Sequence, residues 1–179
     1  MKTILLFAIF FLFLGNAYSE PGLSYNWTNS VGGADYERAT AVTTDKNGNI
    51  YVVGSYDSDN MDFDPGVGVD IHVNKDTHEV YTSSDVFLSK YDENGNYLWT
   101  KTFGGISNDY GHAVAVDEDD YVYVSGQFAE TVDFDPGPGE VLRTAGHFDS
   151  YVSRFSPNGV HIWTKTWGGV NYDTANLLT

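Results

Sequence analysis

Apolar residues along this chain come in short bursts separated by turn-forming residues, and no segment sustains the 3.6-residue apolar period of a helix. Four bursts in mid-chain are Val86–Tyr91, Tyr97–Phe103, His112–Val116 and Tyr121–Ser125. Their β-branched and aromatic content suits pleated strands. Asp92-Glu-Asn-Gly-Asn96 lies between the first two, with counterparts at Asp45-Lys-Asn-Gly-Asn49 and Ser156-Pro-Asn-Gly159. Both residues of an Asn-Gly pair tolerate positive φ, so each is expected to close a tight hairpin. Ile50-Tyr-Val-Val53 and Tyr121-Val-Tyr-Val124 have no polar face, which predicts strands covered on both sides. The pattern predicts an all-β chain of sheets stacked face to face.

The bursts repeat in register. Trp27-Thr-Asn-Ser-Val-Gly-Gly33, Trp99-Thr-Lys-Thr-Phe-Gly-Gly105 and Trp163-Thr-Lys-Thr-Trp-Gly-Gly169 are one phrase, recurring after 72 and then 64 residues. Ala41-Val-Thr-Thr-Asp45 matches Ala113-Val-Ala-Val-Asp117, and Tyr51-Val-Val-Gly54 matches Tyr123-Val-Ser-Gly126. Four strands per unit, with an aromatic at a fixed place, predict β-propeller-type four-stranded blades, about two and a third of them in an incomplete ring. The last phrase is followed by only ten residues, ending at Thr179, where the preceding unit goes on to its next strands. The expectation is an N-terminal fragment of a longer propeller, or a chain of which several copies close one ring. Exposed sheet faces then predict self-association.

Composition adds a location and removes one class of partner. Met1-Lys2, an apolar run from Ile4 to Leu14 and the small-residue ending Asn16-Ala17-Tyr18-Ser19 read as a secretory signal peptide over residues 1–19, leaving a repeat region over 20–179. About eleven apolar residues fall short of the roughly 20 that span a bilayer as a helix, so no membrane span is expected after cleavage. The expected location is secreted or at the cell surface. The formal net charge is −16, and losing Lys2 makes it −17. Phosphate binding needs a basic face, so nucleic acid is not an expected partner. There is no cysteine, so packing and ladder hydrogen bonds must hold the fold. Asn26-Trp27-Thr28 matches a glycosylation acceptor that matters only in a eukaryotic secretory pathway.

The phrase with its Trp and Gly-Gly, the Ala-Val-x-x-Asp stretch, the Gly-Asn pair and the Tyr-Val-x-Gly ending together resemble the SBBP-type β-propeller repeat of secreted bacterial proteins. Val132-Asp-Phe-Asp-Pro-Gly-Pro-Gly139 and Met61-Asp-Phe-Asp-Pro-Gly-Val-Gly68 resemble an insertion found in that family. The resemblance implies propeller blades in an exported bacterial surface protein. It implies no chemistry.

The recurring Asp62-Phe-Asp64 and Asp133-Phe-Asp135 carry the acidic candidates. Alternate carboxylates on an extended segment point the same way, so Asp62 with Asp64, and Asp133 with Asp135, are candidate calcium ligands. The same residues also read as caps of an ordinary Asp-Pro-Gly turn. Trp27, Trp99 and Trp163 occupy one repeat position and are expected in blade packing. Trp167, where the other units have Val31 and Phe103, is the one candidate ligand platform among them. His72, His78, His112, His147 and His161 show no zinc spacing. No nucleophile elbow or cysteine nucleophile is present, and most acids sit at recurring turn positions.

The functional expectation is an exported non-catalytic repeat module for binding or structure at the cell surface, with an unknown protein or glycan ligand and no cofactor. Its binding face is expected on the loops after Gly54 and Gly126, which differ in length. A lectin-like propeller assembled from several chains and a polysaccharide-active enzyme are the alternatives.

Overall fold

Residues 27–75 and 83–173 are described by the structure, a computed structural model. Residues 1–26, which include the expected signal peptide and Asn26, residues 76–82 with His78, and residues 174–179 lie outside them. The strands are β1 (Glu37–Thr44), β2 (Ile50–Tyr56), β3 (Met61–Asp62), β4 (Ile71–His72), β5 (Asp85–Tyr91), β6 (Tyr97–Gly105), β7 (Tyr110–Val116), β8 (Val122–Asp133), β9 (Leu142–Phe155) and β10 (His161–Trp167). No helix is present among the described residues, and none therefore is long and apolar enough to cross a membrane.

Hydrogen bonding follows one path, β1-β2-β5-β6-β8-β9-β10, with β7 added to β8 and β3-β4 forming a separate pair. Every pairing is antiparallel, and the β6–β8 link is only Gly104 opposite Asp133 and Gly105 opposite Val132. The molecule is therefore two four-stranded meanders, β1-β2-β5-β6 and β7-β8-β9-β10, joined at a corner. The expected all-β blades are present. All four mid-chain bursts are strands, yet the first two belong to one blade and the last two to the next. The sequence phrase ends each blade rather than beginning it.

The turns show why each blade closes. Asp45 Oδ1 accepts hydrogen bonds from the amides of Asn47 and Asn49, and Oδ2 accepts one from Asn49 Nδ2 at 2.8 Å. Asp92 repeats this set on Asn94 and Asn96. Asp117 does the same for Asp119 and Tyr121, while Ser156 Oγ takes the role for Asn158 and Val160. Only the fourth residue of each turn has positive φ: Gly48 and Gly95 at 81°, Gly159 at 73° and Asp120 at 65°. The preceding Asn stays at negative φ, so these are side-chain-capped turns and not the two-residue Asn-Gly hairpins expected.

The two blades stack over a shared core. Tyr51, Val53, Val86, Leu88 and Phe103 from the first meet Val122, Val124, Phe128, Phe134, Tyr151 and Phe155 from the second. β2 is buried along nearly its whole length, as its missing polar face predicts, whereas Tyr123 on β8 is half-buried. The phrase stitches this seam. Phe103, 1% exposed, projects from β6 onto Phe134, Tyr151 and Phe155, with ring centroids 5.6, 5.8 and 5.9 Å away. Val31 packs in the same way onto the smaller cluster of Tyr56, Met61, Phe63 and Phe87. Trp27 lies over the β5–β6 turn so closely that a Cβ on Gly95 would stand 2.5 Å from its ring. Trp99 lies over the β9–β10 turn less closely: a Cβ on Gly159 would meet Lys101 at 2.8 Å and the Trp99 ring at 3.3 Å.

Candidate functional site

The inner strands of the two blades leave a cleft between them, at the blade end opposite the capped turns. It has a volume of about 280 Å³ and is lined by Tyr36, Arg38 and Thr40 from in and before β1, Ser55 and Asp57 at the end of β2, Ser84, and Tyr110, Gly111 and His112 of β7. Bulges shape it. The β1–β2 register slips between Ala39 and Ala41, and the β7–β8 register slips between Gly111 and Ala113. A bulge turns its extra residue out of the ladder, here Thr40 and His112. Thr40 Oγ1 then donates to Gly111 O at 2.6 Å, and Gly111 N donates to Ser55 Oγ at 3.3 Å. These bonds fix one wall against the other.

Ser84 Oγ donates to Asp57 Oδ1 at 2.5 Å. Burial raises the Asp57 carboxyl above its ordinary pKa, the Ser84 bond opposes this, and the nearby charges of Glu37 and Asp35 raise it further. Tyr110 is also raised, by burial first. Its ring stacks on His112 at 6.4 Å and on Phe148 at 6.2 Å. Ion pairs among the described residues are Lys46–Asp120, His72–Asp70 and Arg154–Asp117. None engages the exposed Arg38 at the cleft mouth. The site thus combines one guanidinium, several hydroxyls and aromatic faces with a single shielded carboxyl.

Beneath the cleft is a carboxylate pair. Asp109 Oδ2 accepts from Gly105 N at 2.7 Å and Oδ1 from Ala129 N at 3.1 Å. Burial pushes the Asp109 carboxyl well above the usual range, and the neighbouring Asp85 adds to this against the backbone donors. Both crowd Gly104, where any Cβ would collide with the Asp85 carboxylate. Asp149 and Asp173 repeat the arrangement around Gly168 and Gly169. Sequence reasoning missed this pair and the cleft. The available signal was an acid four residues beyond each Gly-Gly, at Glu37, Asp109 and Asp173.

The acidic candidates sit in two loops with matching hydrogen bonds. Asp62 Oδ1 accepts from the amides of Asp64 and Asp70, and Asp133 Oδ1 from those of Asp135 and Val141. Asp64 Oδ1 and Asp135 Oδ1 accept from Gly66 N and Gly137 N. The Phe between each pair, Phe63 or Phe134, is fully buried. Among the described residues no group of three or more His, Asp or Glu is placed to hold a metal ion. Of the histidines, His112 lines the cleft, His72 bonds Thr102 beneath β4, His161 packs on Phe155 and His147 meets Phe148 and Tyr172. Trp163 packs edge-on against Tyr123 as Trp99 does against Tyr51, while Trp167 is exposed.

The model of the SBBP beta-propeller repeat family matches residues 98–127, which run from β6 through β7 into β8. The chain carries an SBBP β-propeller repeat. That matched span crosses from one blade to the next at Gly104-Gly105, so the SBBP repeat is framed on the seam. Two relatives share more of the sequence. An uncharacterized WD repeat-containing protein, L264, of Acanthamoeba polyphaga mimivirus is 28% identical over 158 residues, covering 77% of this chain and 11% of the relative. The regulatory protein FlaEY of Caulobacter vibrioides is 30% identical over 128 residues, covering 71% of this chain and 13% of its own. The chain thus spans about a tenth of the length of each.

Proposed function

We propose that this SBBP-repeat chain is an exported, non-catalytic binding module, which takes a protein or glycan at the blade end where the cleft opens. The observation that carries the reading is the cleft itself. Two bulged inner strands turn Thr40 and His112 out of their ladders, and Arg38, exposed and in no ion pair among the described residues, stands at the mouth. The loops that leave β2 and β8 emerge at the same end, and variable loops on a rigid frame are where recognition is usually placed. A non-catalytic role is supported by how the acids are used: Asp45, Asp62, Asp92, Asp109, Asp117 and Asp133 cap backbone amides, so their oxygens are committed to the fold. The description of the mimivirus relative as a WD repeat-containing protein agrees with a repeat module for interaction. Export is supported by the residue pattern of positions 1–19.

Two measurements test this reading. Arrays of glycans and of peptides are probed with the wild-type chain and with Arg38→Ala and Tyr110→Ala. A ligand retained by wild type and weakened at least tenfold by either variant is expected. Ligands indifferent to both variants would remove the cleft from the binding face. Fractionation of cells producing the chain with and without residues 1–19 tests export, and equal retention of both forms inside the cell would refute it.

A further inference from the structure

We propose that the segment Val67–Val73, which β4 closes, is a docking surface for a partner protein whose contact is apolar and rimmed by lysine or arginine. This surface shares no lining residue with the cleft. The segment is built inside out. The side chains between the aliphatic ones are polar and engaged: the Tyr97 hydroxyl donates to Asp70, which also pairs with His72 at 3.3 Å, and His72 Nδ1 shares a hydrogen bond of 2.8 Å with Thr102 Oγ1. Its most exposed side chains are all branched aliphatics, at every second position from Val67 to Val73, although only Ile71–His72 is strand. Val67 is fully exposed, Val69 is 73%, Ile71 51% and Val73 61% exposed.

The pattern is peculiar to this blade. In the second blade, the equivalent loop places Pro138, Glu140, Leu142 and Thr144 at the same four positions. The two loops share their Asp caps and buried Phe, so folding does not require the aliphatic row. Contiguous exposed aliphatics on one blade only are what a protein contact selects.

Charge selects the partner. Residues 59–75 carry four aspartates against one lysine, in a chain of net charge −16. A second copy, or an anionic membrane, would bring like charge against this rim. A basic rim around an apolar centre would meet it with opposite charge and a higher association rate.

The test uses the full chain and two synthetic peptides, one alternating isoleucine with lysine and one alternating isoleucine with glutamate. Affinity is read by fluorescence anisotropy at low and physiological salt. The lysine peptide is expected to bind at least tenfold tighter than the glutamate peptide. Val69→Glu with Ile71→Glu is expected to weaken it at least tenfold with the melting temperature unchanged. Val160→Glu, at an exposed valine elsewhere, serves as control and is expected to have no effect. Equal affinity for the two peptides, no binding of either, or binding indifferent to the double variant would overturn the proposal. Concentration-dependent dimers abolished by Ile71→Glu would overturn it in favour of a second copy. Arg38→Ala leaves this assay unmoved, so its outcome is separable from that of the cleft.

Discussion

Phe103→Ala removes the side chain that couples the two blades. The ring is 1% exposed and is held within 5.6–5.9 Å of three aromatic centroids, all on the second blade's strands or loop. Truncating a buried Phe costs about 3–5 kcal/mol, and the rigid rings around it leave little scope for collapse into the gap. Loss of the aromatic pairs lies within that range. At roughly 2–4 °C per kcal/mol for a chain of this size, the melting temperature should fall by about 10 °C. Urea unfolding followed by far-ultraviolet circular dichroism and by tryptophan fluorescence would report it. Leu98→Ala, on the same strand and 46% exposed, provides the surface reference and should cost under about 1 kcal/mol. If Phe103→Ala cost no more than Leu98→Ala, the seam would not be held by this residue. Phe103→Leu should recover most of the loss.

Three further outcomes follow from other parts of the fold. Glu130 sits at φ 57° in the β8 bulge between Ala129 and Thr131 and is exposed, so Glu130→Gly should raise stability by about 0.5–1 kcal/mol; a loss in urea unfolding would show that the backbone there is not strained. Asp109 is raised in the fold by burial first and then by Asp85, so its stabilising contribution is full below about pH 4 and is lost as pH rises through its folded pKa. Asp85→Asn should therefore gain in unfolding free energy relative to wild type between pH 4 and 7, whereas a constant difference would refute the coupling. Calcium at millimolar concentration should shift the melting temperature by less than about 1 °C, because Asp62, Asp64, Asp133 and Asp135 each already accept backbone amides; a rise of several degrees, reversed by a chelator, would make those loops metal sites.

The strands were legible because the buried faces are written in local residue type: Val86–Tyr91 and Tyr97–Phe103 are recognisable alone. Their grouping was not. Gly104-Gly105 looks like the end of a phrase, and only the pairing of β7 with β8 shows that a new blade starts after it. The turn sites were found from Asn-Gly, but the hydrogen bonds that define them come from the leading Asp or Ser, whose role the turn Asp117–Asp120, with Asp119-Asp120 in place of Asn-Gly, shows is independent of Asn-Gly itself. The cleft could not be read because Arg38, Ser55 and His112 are brought together by stacking of two blades, 74 positions apart at the extremes. The row from Val67 to Val73 alternates visibly, yet alternation ordinarily places apolar residues inward, and only the engaged Asp70 and His72 reveal the reverse.

The seam also has a direction in time. Phe103 leaves the ribosome 52 residues ahead of Phe155, and Trp99 precedes the Gly159 turn that it covers by 60. At about 5–20 residues per second, each donor aromatic waits roughly 3–12 s before its receiving blade exists. Every additional repeat renews that interval. The nascent chain therefore always carries one unsatisfied aromatic ledge, and slowing synthesis after a phrase lengthens its exposure to chaperones and to other nascent chains.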